Sequence, residues 1–345
     1  MKTKNLKAKF VTGIGYNPWL NLALEEYLLD YLKKDEIILC LWQNDNTVVI
    51  GRNQNAWQEC RVDDLEVDQA KLARRLSGGG AVFHDQGNLN YTLLMPRKRY
   101  NLKEQLNVIL AALQNLGFEA KFSGRNDILC QGKKISGTAY YFGEKAAYIH
   151  GTVLVDSDLE KLVSYLKVSD AKIKSKGINS VKSRVMNLSQ IDTKITIFAV
   201  KESIKNSFAE IYNQGQPLKE IQINDSSNKK LKKLYDKYAS WDWRFGKSPD
   251  FDISIDHRFN WGEVELKLKL SSGIIEEAVI YSDAMYADLI EELSASLLNK
   301  SFELSTIVEN VEETMVDYSW PGTEAQAQKS IIKELINWLN IELKN

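Results

Sequence analysis

Three consecutive glycines, Gly78-Gly79-Gly80, directly follow Arg74, Arg75, Leu76 and Ser77. A glycine run lets a large ligand approach the main chain and permits positive φ angles. Arginine is permanently charged and binds phosphate or carboxylate oxygens through paired hydrogen bonds. Bare amides beside fixed positive charge are therefore typical of a phosphate-binding loop. A hairpin loop beside a solvated arginine pair explains a glycine run equally well when the run is considered alone.

The residues after the glycines favour the phosphate-binding interpretation because they are predicted to form strands that would hold the loop. Val82, Asn90 and Thr92 lie in apolar segments of strand-like composition. The loop differs from the common nucleotide fingerprints. It lacks the GxxxxGK[ST] order, and it precedes a strand where the dinucleotide motif would open a helix.

A second group of candidate residues lies at 124–140, where two short strands are predicted on either side of Gln131-Gly132. Strand alternation predicts that Lys134 shares a face with Ser136 and Thr138, and that Lys133 points to the other face. A lysine beside small hydroxyl residues has room to reach inward. An exposed strand lysine is the more common case for Lys134 taken alone.

Two further stretches could contribute chemistry, although a structural role is the commoner explanation for each. His150 lies in a predicted strand, and no partner for its imidazole is visible in the sequence, so a core histidine is favoured over a catalytic base. Residues 172–184 are rich in lysine and include Arg184. By default such a stretch is a solvated loop, and the alternative is a loop that closes over an anion.

The elements that must position these residues alternate between strand and helix along the first 240 residues. Strands are predicted at 7–14, 37–42, 47–50 and 146–155, and Asn17-Pro18 is a typical helix start. Leu102–Leu116 is predicted to be a helix that ends at Gly117, and Ser157 with Glu160 resembles a capping box. Helical segments are further predicted at 56–72, 199–213 and 227–240.

The composition changes at 241–250, where Gly246 and Pro249 are typical of a boundary between domains. Beyond it, strands at 259–270 and 273–281 precede two predicted helices, which makes a small α+β unit. We therefore expect an α+β protein with two domains, residues 1–246 and residues 250–345.

Composition excludes several function classes. Apolar residues make up 44% of the 345-residue chain and the net charge is −1, so no global field attracts nucleic acid or membrane surfaces. No apolar run approaches the roughly 20 residues that span a bilayer, and no export signal is visible. Three cysteines without CxxC spacing predict neither a disulfide framework nor a zinc site. These features together suit a reducing cytoplasm.

Several motifs, taken in order, resemble the lipoate–protein ligase A family. They are RRxSGGGAVFHD at 74–85, GRND at 124–127, KISGTAY at 134–140, HGT at 150–152 and KGIxSV at 176–181. The resemblance covers nearly the whole chain, including WxWxFG at 241–246 and the C-terminal unit. It implies a large mixed-sheet catalytic domain of the biotin/lipoate ligase type, with a small α+β accessory domain that can pivot.

The resemblance also implies the reaction and its participants. Lipoate and ATP with Mg²⁺ would give lipoyl-AMP and pyrophosphate. A lysine of an acceptor lipoyl domain would then take the lipoyl group as an amide. Octanoate stays open as a second acid. The acceptors would be apo lipoyl domains of 2-oxoacid dehydrogenase E2 subunits or the glycine-cleavage H protein, in the cytoplasm, without nucleic acid or membrane.

By match to the family motifs, Lys134 would neutralise the α-phosphate at both steps and is the one catalytic residue. Asp127 is the candidate contact for magnesium, whose preferred ligands are hard oxygens. Leu76 stands where the pattern often has a small polar residue, which argues against a phosphate contact from its side chain. The residues implied to bind ATP or the adenylate are Arg75, Ser77, Gly79, Gly80, Ala81, Val82, Phe83, Asn126, Asp127 and Lys134.

Two other functions remain open at this stage. A cysteine-dependent octanoyl or lipoyl transferase on the same fold would need an activated thiol, and Cys130 is the cysteine closest in sequence to these motifs. Cys130 has the parity of Lys134 along the chain, but it lies between Leu129 and Gln131, where a buried inert thiol is the usual case. A ligase-like DNA-binding regulator would need a helix-turn-helix module or a basic face, and neither is visible.

Overall fold

The computed structural model describes residues 6–123, 126–167, 184–223, 228–245, 251–320 and 325–343. Contacts divide the chain into two compact units. The large unit contains Met1–Ile50, Ala56–Arg74 and Ala81–Arg244, and the small unit contains Gly51–Asn55, Arg75–Gly80 and Phe245–Asn345. By this criterion the three glycines group with the C-terminal residues. No described helix combines the length and the apolar character needed to cross a membrane.

A mixed sheet of eight described strands forms the centre of the large unit, and its strands are β1 (Lys7–Thr12), β2 (Glu36–Trp42), β6 (Asn88–Pro96), β7 (Ala120–Phe122), β8 (Asp127–Cys130), β9 (Lys133–Phe142), β10 (Ala146–Leu154) and β11 (Lys219–Glu220). Their order in the sheet is β11-β1-β2-β6-β10-β9-β8-β7. β1 pairs in parallel with β2 and β11, and the other pairings in this sheet are antiparallel.

A second sheet in the large unit consists of β3 (Thr47–Ile50), β4 (Lys71–Arg74) and β5 (Val82–His84). The order is β4-β3-β5, so the strands that precede and follow the glycine segment along the chain lie on either side of β3. A helical segment was predicted for 56–72. The structure has two short helices there, and residues 71–74 instead pair in parallel with β3, because this largely buried segment completes the second sheet.

Several helices of the large unit begin or end where local signals in the sequence indicate. They are α1 (Pro18–Tyr31), α2 (Ala56–Glu59), α3 (Val62–Val67), α4 (Leu102–Asn115), α5 (Leu159–Tyr165), α6 (Ile197–Asn213), α7 (Lys229–Ala239) and α8 (Trp241–Phe245), the last ending at the unit boundary. The Asn17 side chain accepts hydrogen bonds from the first amides of α1. α4 and α6 pack together and contribute to the buried core on one face of the main sheet.

The capping box expected at Ser157 is wrong in its details. Asp158 is the N-cap of α5, and its carboxylate accepts the amides of Glu160 and Lys161. The Ser157 hydroxyl donates to Asp85, which also accepts the amide of Asp158. The Ser157 hydroxyl, which the local pattern predicted to cap the helix, is therefore hydrogen-bonded to a carboxylate outside the helix.

The described part of the small unit contains an antiparallel sheet, β12-β13-β14, and three helices around one apolar core. The sequence predicted two strands and two helices for this part. The first strand and one of the helices were missed. The elements are β12 (Ile253–Arg258), β13 (Glu263–Ser271), β14 (Ile274–Ser282), α9 (Ala287–Ser296), α10 (Leu304–Asp317) and α11 (Ala325–Glu342).

The glycine that follows α4 has a backbone conformation that favours glycine. Gly117 has a φ of 86°, and its amide and that of Phe118 bond to carbonyls of the last helical turn. An L-residue with a Cβ is strained in this region. We expect Gly117→Ala to lower the free energy of unfolding by about 1 kcal/mol. Gly117→Asn should cost less, because asparagine tolerates the left-handed region. Urea denaturation of both variants gives the comparison, and equal losses would contradict the backbone explanation.

Candidate active site

Lys134, the predicted catalytic residue, forms an ion pair in the large unit. Its Nζ lies 2.7 Å from Oδ1 of Asp127, and the two side chains are 32% and 30% exposed. The contact places the ammonium beside a carboxylate while both side chains stay partly exposed. Lys134 and Asp127, two of the predicted site residues, are therefore brought into direct contact.

The pairing of β8 with β9 corrects the predicted face of Lys134. Asp127 pairs with Gly137 and Ile128 with Ser136, but Leu129 pairs with Lys134, because the register shifts between Ile128 and Leu129. Residues that pair directly have side chains on the same face of a sheet. Lys134 therefore shares a face with Asp127 and Gly137. The prediction that it faces the same way as Ser136 and Thr138 is wrong, since simple alternation ignores a β-bulge.

The main chain of Lys134 is hydrogen-bonded to the last residue of the predicted basic loop and to a residue just after that loop. The Lys134 amide donates to the Arg184 carbonyl at 2.7 Å, and the Met186 amide donates to the Lys134 carbonyl at 2.9 Å. Residues 172–183 of that loop lie outside the described residues. The described end of the loop is thus joined to the candidate catalytic residue through backbone hydrogen bonds.

Asn126 contributes through its carbonyl group, which accepts hydrogen bonds from both the amide and the hydroxyl of Thr138, each at 2.8 Å. These bonds tie the start of β8 to β9. Gly124 and Arg125 lie outside the described residues. The part of the GRND motif that the structure describes therefore adjoins Lys134 through the sheet.

Arg75 braces the glycine segment from within the small unit. Its guanidinium donates to the carbonyls of Gly78 and Gly80, each at 2.8 Å from Nη2, and its Nε donates to the Ser77 hydroxyl at 3.0 Å. Both side chains are buried. The sequence predicted that Arg75 binds phosphate. In this structure its guanidinium organises the loop, and a phosphate contact stays a prediction.

The three glycines meet different constraints. A Cβ on Gly78 would lie 2.2 Å from the Ala284 carbonyl oxygen, so this residue must be bare for the loop to pass residues 284–285. Gly79 has a φ of 88°, and its amide donates to the same carbonyl at 3.2 Å. A Cβ on Gly80 would meet nothing within 4 Å. Gly78 and Gly79 are buried and Gly80 is exposed, so Gly80 is the one of the three whose main chain borders open space.

Arg74 serves the fold of the large unit. Its Nε donates to the Trp243 carbonyl at 2.8 Å, its Nη2 donates to the Arg244 carbonyl at 2.9 Å, and the Trp243 indole donates to the Arg74 carbonyl. Carbonyls at the end of a helix lack internal donors, and Arg74 satisfies those of α8. The sequence predicted that the two arginines bind an anion. In the structure the guanidinium groups of both donate hydrogen bonds to main-chain carbonyls.

The remaining predicted residues of the glycine motif are Ala81, Val82 and Phe83. Ala81 and Val82 are half-buried, whereas Phe83 is 1% exposed and its ring packs against Tyr165. Val82 and Phe83 belong to β5 and pair with Val49 and Val48 in β3. A ligand could use only the main chain of Phe83.

The cysteines are free thiols in buried positions. Cys130 pairs with Lys133 across the β8–β9 ladder, one position beyond Lys134, and is therefore on the opposite face from Lys134. Burial raises the pKa of the Cys130 thiol, and it raises the pKa of Cys60 to about 12. A thiol with a raised pKa is a poor nucleophile.

A network of buried polar side chains beside α1 was not predicted from the sequence. Nδ1 of His150 lies 2.9 Å from Oε1 of Glu25, the same oxygen accepts the Thr92 hydroxyl at 2.5 Å, and the Trp42 indole donates to Thr92 at 2.9 Å. His150 is thus a buried histidine with a partner, as favoured from the sequence. Glu25 lies four residues after Asn21, on the buried side of α1, and two polar residues at this spacing were the available signal.

The residues present fit magnesium only in a limited way. No group of three or more histidine, cysteine, aspartate or glutamate side chains arranged around a common point is found among the described residues. Magnesium commonly uses one or two carboxylates together with substrate phosphates. The partly exposed carboxylate of Asp127 satisfies that smaller requirement.

Comparison with known proteins defines the class. Residues 17–209 match the lipoyl protein ligase A/B catalytic domain, and residues 248–339 match the bacterial lipoate protein ligase C-terminus. The lipoate-protein ligase A of Psychrobacter cryohalolentis is 39% identical over 98% of this chain and 100% of its own length. That of Blochmanniella floridana is 41% identical over 96% of this chain and 97% of its own length. The chain belongs to the lipoate–protein ligase A family.

Solved structures agree with the fold class expected from the sequence, an α+β protein with a large mixed sheet. P. falciparum LipL1 in complex with lipoate has a TM-score of 0.80 at 30% identity, and the match covers 96% of this chain and 99% of that chain. A bipartite lipoate protein ligase of Thermoplasma acidophilum, solved in a study with its E2 lipoyl domain, has a TM-score of 0.63 at 27% identity over 72% of this chain and 100% of that chain. A lipoate-protein ligase A bound with ATP has a TM-score of 0.59 at 26% identity, over 70% of this chain and 99% of that chain.

The contacts of Arg75 predict a stability effect that a pure ligand contact would not have. Arg75→Lys keeps the positive charge and loses the planar fork that bonds two carbonyls and a hydroxyl. We expect the free energy of unfolding without ligand to fall by about 2 kcal/mol, because buried acceptors lose charged donors. Urea denaturation measures the effect. Unchanged stability combined with weaker ATP binding would show that the guanidinium serves the ligand instead.

Proposed function

We propose that this chain activates lipoate with ATP and then transfers the lipoyl group to a lysine of an acceptor lipoyl domain. In the first step a lipoate carboxylate oxygen attacks the α-phosphorus, and the bond to the β-phosphate oxygen breaks with release of pyrophosphate. In the second step the acceptor amine attacks the acyl carbon, loses a proton, and displaces AMP. The observation that carries the proposal is the ion pair between the partly exposed side chains of Lys134 and Asp127 in a chain of this family.

The proposed role of Lys134 follows from where charge develops. Negative charge builds on the α-phosphate in both steps, and a cation held in advance stabilises it without reorganisation. The side chain of Lys134 is held by Asp127 and its backbone by residues 184 and 186. Neither step requires a nucleophilic side chain of the enzyme, because the substrate carboxylate and the acceptor amine are the nucleophiles.

The main chain is proposed to receive the nucleotide and the acid beside the glycine motif. Open space beside the Cα of Gly80 supports this, and Arg75 maintains the loop shape. Asp127 would hold magnesium, which would offset phosphate charge when bound. The further residues proposed to contact ATP or the adenylate, by match to the family motif, are Ser77, Gly79, Ala81, Val82, Phe83 and Asn126.

The acceptor class and the location extend the same proposal. The T. acidophilum relative was studied with its E2 lipoyl domain, which supports an E2 lipoyl domain as one acceptor here, and the H protein is the other. Free cysteines are consistent with the reducing cytoplasm proposed from composition. Octanoate is the alternative acid.

The cysteine-dependent transferase is the second candidate. It is disfavoured because Cys130 is buried, its thiol has a raised pKa, and it lies on the other face of the ladder from Lys134. A transferase would act without ATP and would depend on a reactive thiol.

The reaction is tested with purified protein, lipoate, ATP and magnesium, before and after addition of an apo E2 lipoyl domain or an apo H protein. We expect pyrophosphate release without acceptor, and a mass increase of one lipoyl group on the acceptor. Omission of ATP is the control and should abolish both signals, whereas iodoacetamide treatment should leave them. Acceptor modification that needs no ATP and stops on alkylation would establish the transferase.

Adjacent lysines provide a matched pair of variants. We expect Lys134→Ala to reduce pyrophosphate release by 100-fold or more, because loss of one preorganised charge donor costs about 3 kcal/mol. Lys133→Ala should stay close to wild type, since Lys133 is exposed and lies on the other face. Both rates are measured at saturating lipoate and ATP, with urea denaturation to confirm folding. Equal losses for the two variants would remove Lys134 from its proposed role.

A further inference from the structure

Gly137 leaves the space that the Lys134 ammonium occupies. A Cβ built on Gly137 would lie 2.9 Å from both Cε and Nζ of Lys134, and 4.0 Å from Oδ1 of Asp127. Separations this short are not found for ordinary Cβ atoms, so a methyl group and the present position of the ammonium exclude each other. The other neighbouring atom, the Asp127 oxygen, is at ordinary contact distance.

The backbone of Gly137 gives no other reason for a glycine. Its φ lies outside the positive region, unlike that of Gly132, which is 75°. Its amide donates to the Thr152 hydroxyl at 3.2 Å, and an alanine would keep that bond. Glycine inside a strand costs about 0.5–1 kcal/mol relative to alanine. A glycine here is therefore unfavourable for the strand and useful only for what approaches its Cα.

The β-bulge is what brings residues 134 and 137 to one face. Residues three apart in a regular strand face opposite sides of the sheet. In β9 the register passes from Ser136, opposite Ile128, to Lys134, opposite Leu129, which leaves Ile135 as the extra residue. Ile135 is fully buried in the core. The Lys134 side chain can then fold back over the Cα of Gly137 and reach Asp127.

We propose that Gly137 is a positioning residue for Lys134: its bare Cα provides the space in which Asp127 holds the ammonium. The inference rests on the proposed role of Lys134. A methyl group at residue 137 would displace the ammonium without changing any charge. Misplacement of a catalytic group by about 1 Å can cost on the order of 100-fold in rate. The effect belongs to the rate of adenylation, since the clash involves the mobile end of a side chain and no backbone atom.

A double-mutant cycle tests the proposal, with Gly137→Ala made in the wild type and in Lys134→Ala. We expect Gly137→Ala alone to lower kcat for pyrophosphate release at least tenfold, with a smaller change in the KM for ATP. In the Lys134→Ala background it should change the residual rate by less than twofold, because the group it displaces is gone. Urea denaturation should show that Gly137→Ala leaves the protein at least as stable as its parent in each background.

Amine labelling supplies a readout that is independent of activity. Unliganded protein is treated with a water-soluble acylating reagent, and the modified lysines are quantified by peptide mass spectrometry. In Gly137→Ala we expect Lys134 to be labelled several-fold more than in the wild type, because its ammonium has left the carboxylate. Lys133, the adjacent exposed lysine, serves as the internal reference and should be labelled equally in both proteins.

The outcomes separate this inference from the proposed function. If Lys134→Ala has wild-type activity, the proposed role of Lys134 fails. If Lys134→Ala is inactive but Gly137→Ala has wild-type kcat and unchanged Lys134 labelling, the positioning role is overturned while the proposed function stands. An equal fractional loss from Gly137→Ala in both backgrounds also overturns it, because the loss would then not pass through Lys134.

Discussion

A cation that stabilises developing negative charge must be held in place before the charge appears, and the ion pair of Lys134 with Asp127 meets this requirement. The sheet fixes both backbones, the bulge turns Lys134 to the face of Asp127, and Gly137 leaves the space between them. Partial exposure keeps the pair accessible to a ligand. The chemistry proposed for this chain therefore depends on this pair.

The arginines of the glycine motif illustrate a different use of charge. Both guanidiniums donate to main-chain carbonyls, Arg75 to its own loop and Arg74 to the end of α8. A planar group with five donors can satisfy several carbonyls at fixed angles, which a lysine cannot do. The loop is therefore shaped by charged side chains, and the surface it offers beside Gly80 is made of main chain.

Much of the framework could be predicted because it depends on local signals. Asn17-Pro18 begins a helix, Gly117 ends one with a positive φ, and Gln131-Gly132 makes the turn between β8 and β9 with φ angles of 50° and 75°. The motifs also indicated the family, to which the chain belongs. The helical segment predicted for 56–72 extended two residues into the short β4 strand, whose pairing with β3 is a contact between residues distant in the sequence.

The sequence named candidate residues for the site, and their geometry could not be predicted from it. Periodicity assumes a regular strand, so it placed Lys134 on the wrong face, and only the pairing partner Leu129 reveals the bulge. The carboxylate beside His150 comes from Glu25, 125 residues earlier in the chain. Long side chains such as Arg75 can reach several acceptors, and the sequence does not say which are occupied.

The hydrogen bond between Gly79 and Ala284 has a consequence for exchanging domains between relatives. A single cut in the sequence near residue 246 does not separate the two compact units, because residues 51–55 and 75–80 belong to the same unit as residues 245–345. A chimera that exchanges only the C-terminal hundred or so residues with those of a relative would pair a native glycine loop with a foreign carbonyl. Modular exchange would have to move three separate pieces of chain at once.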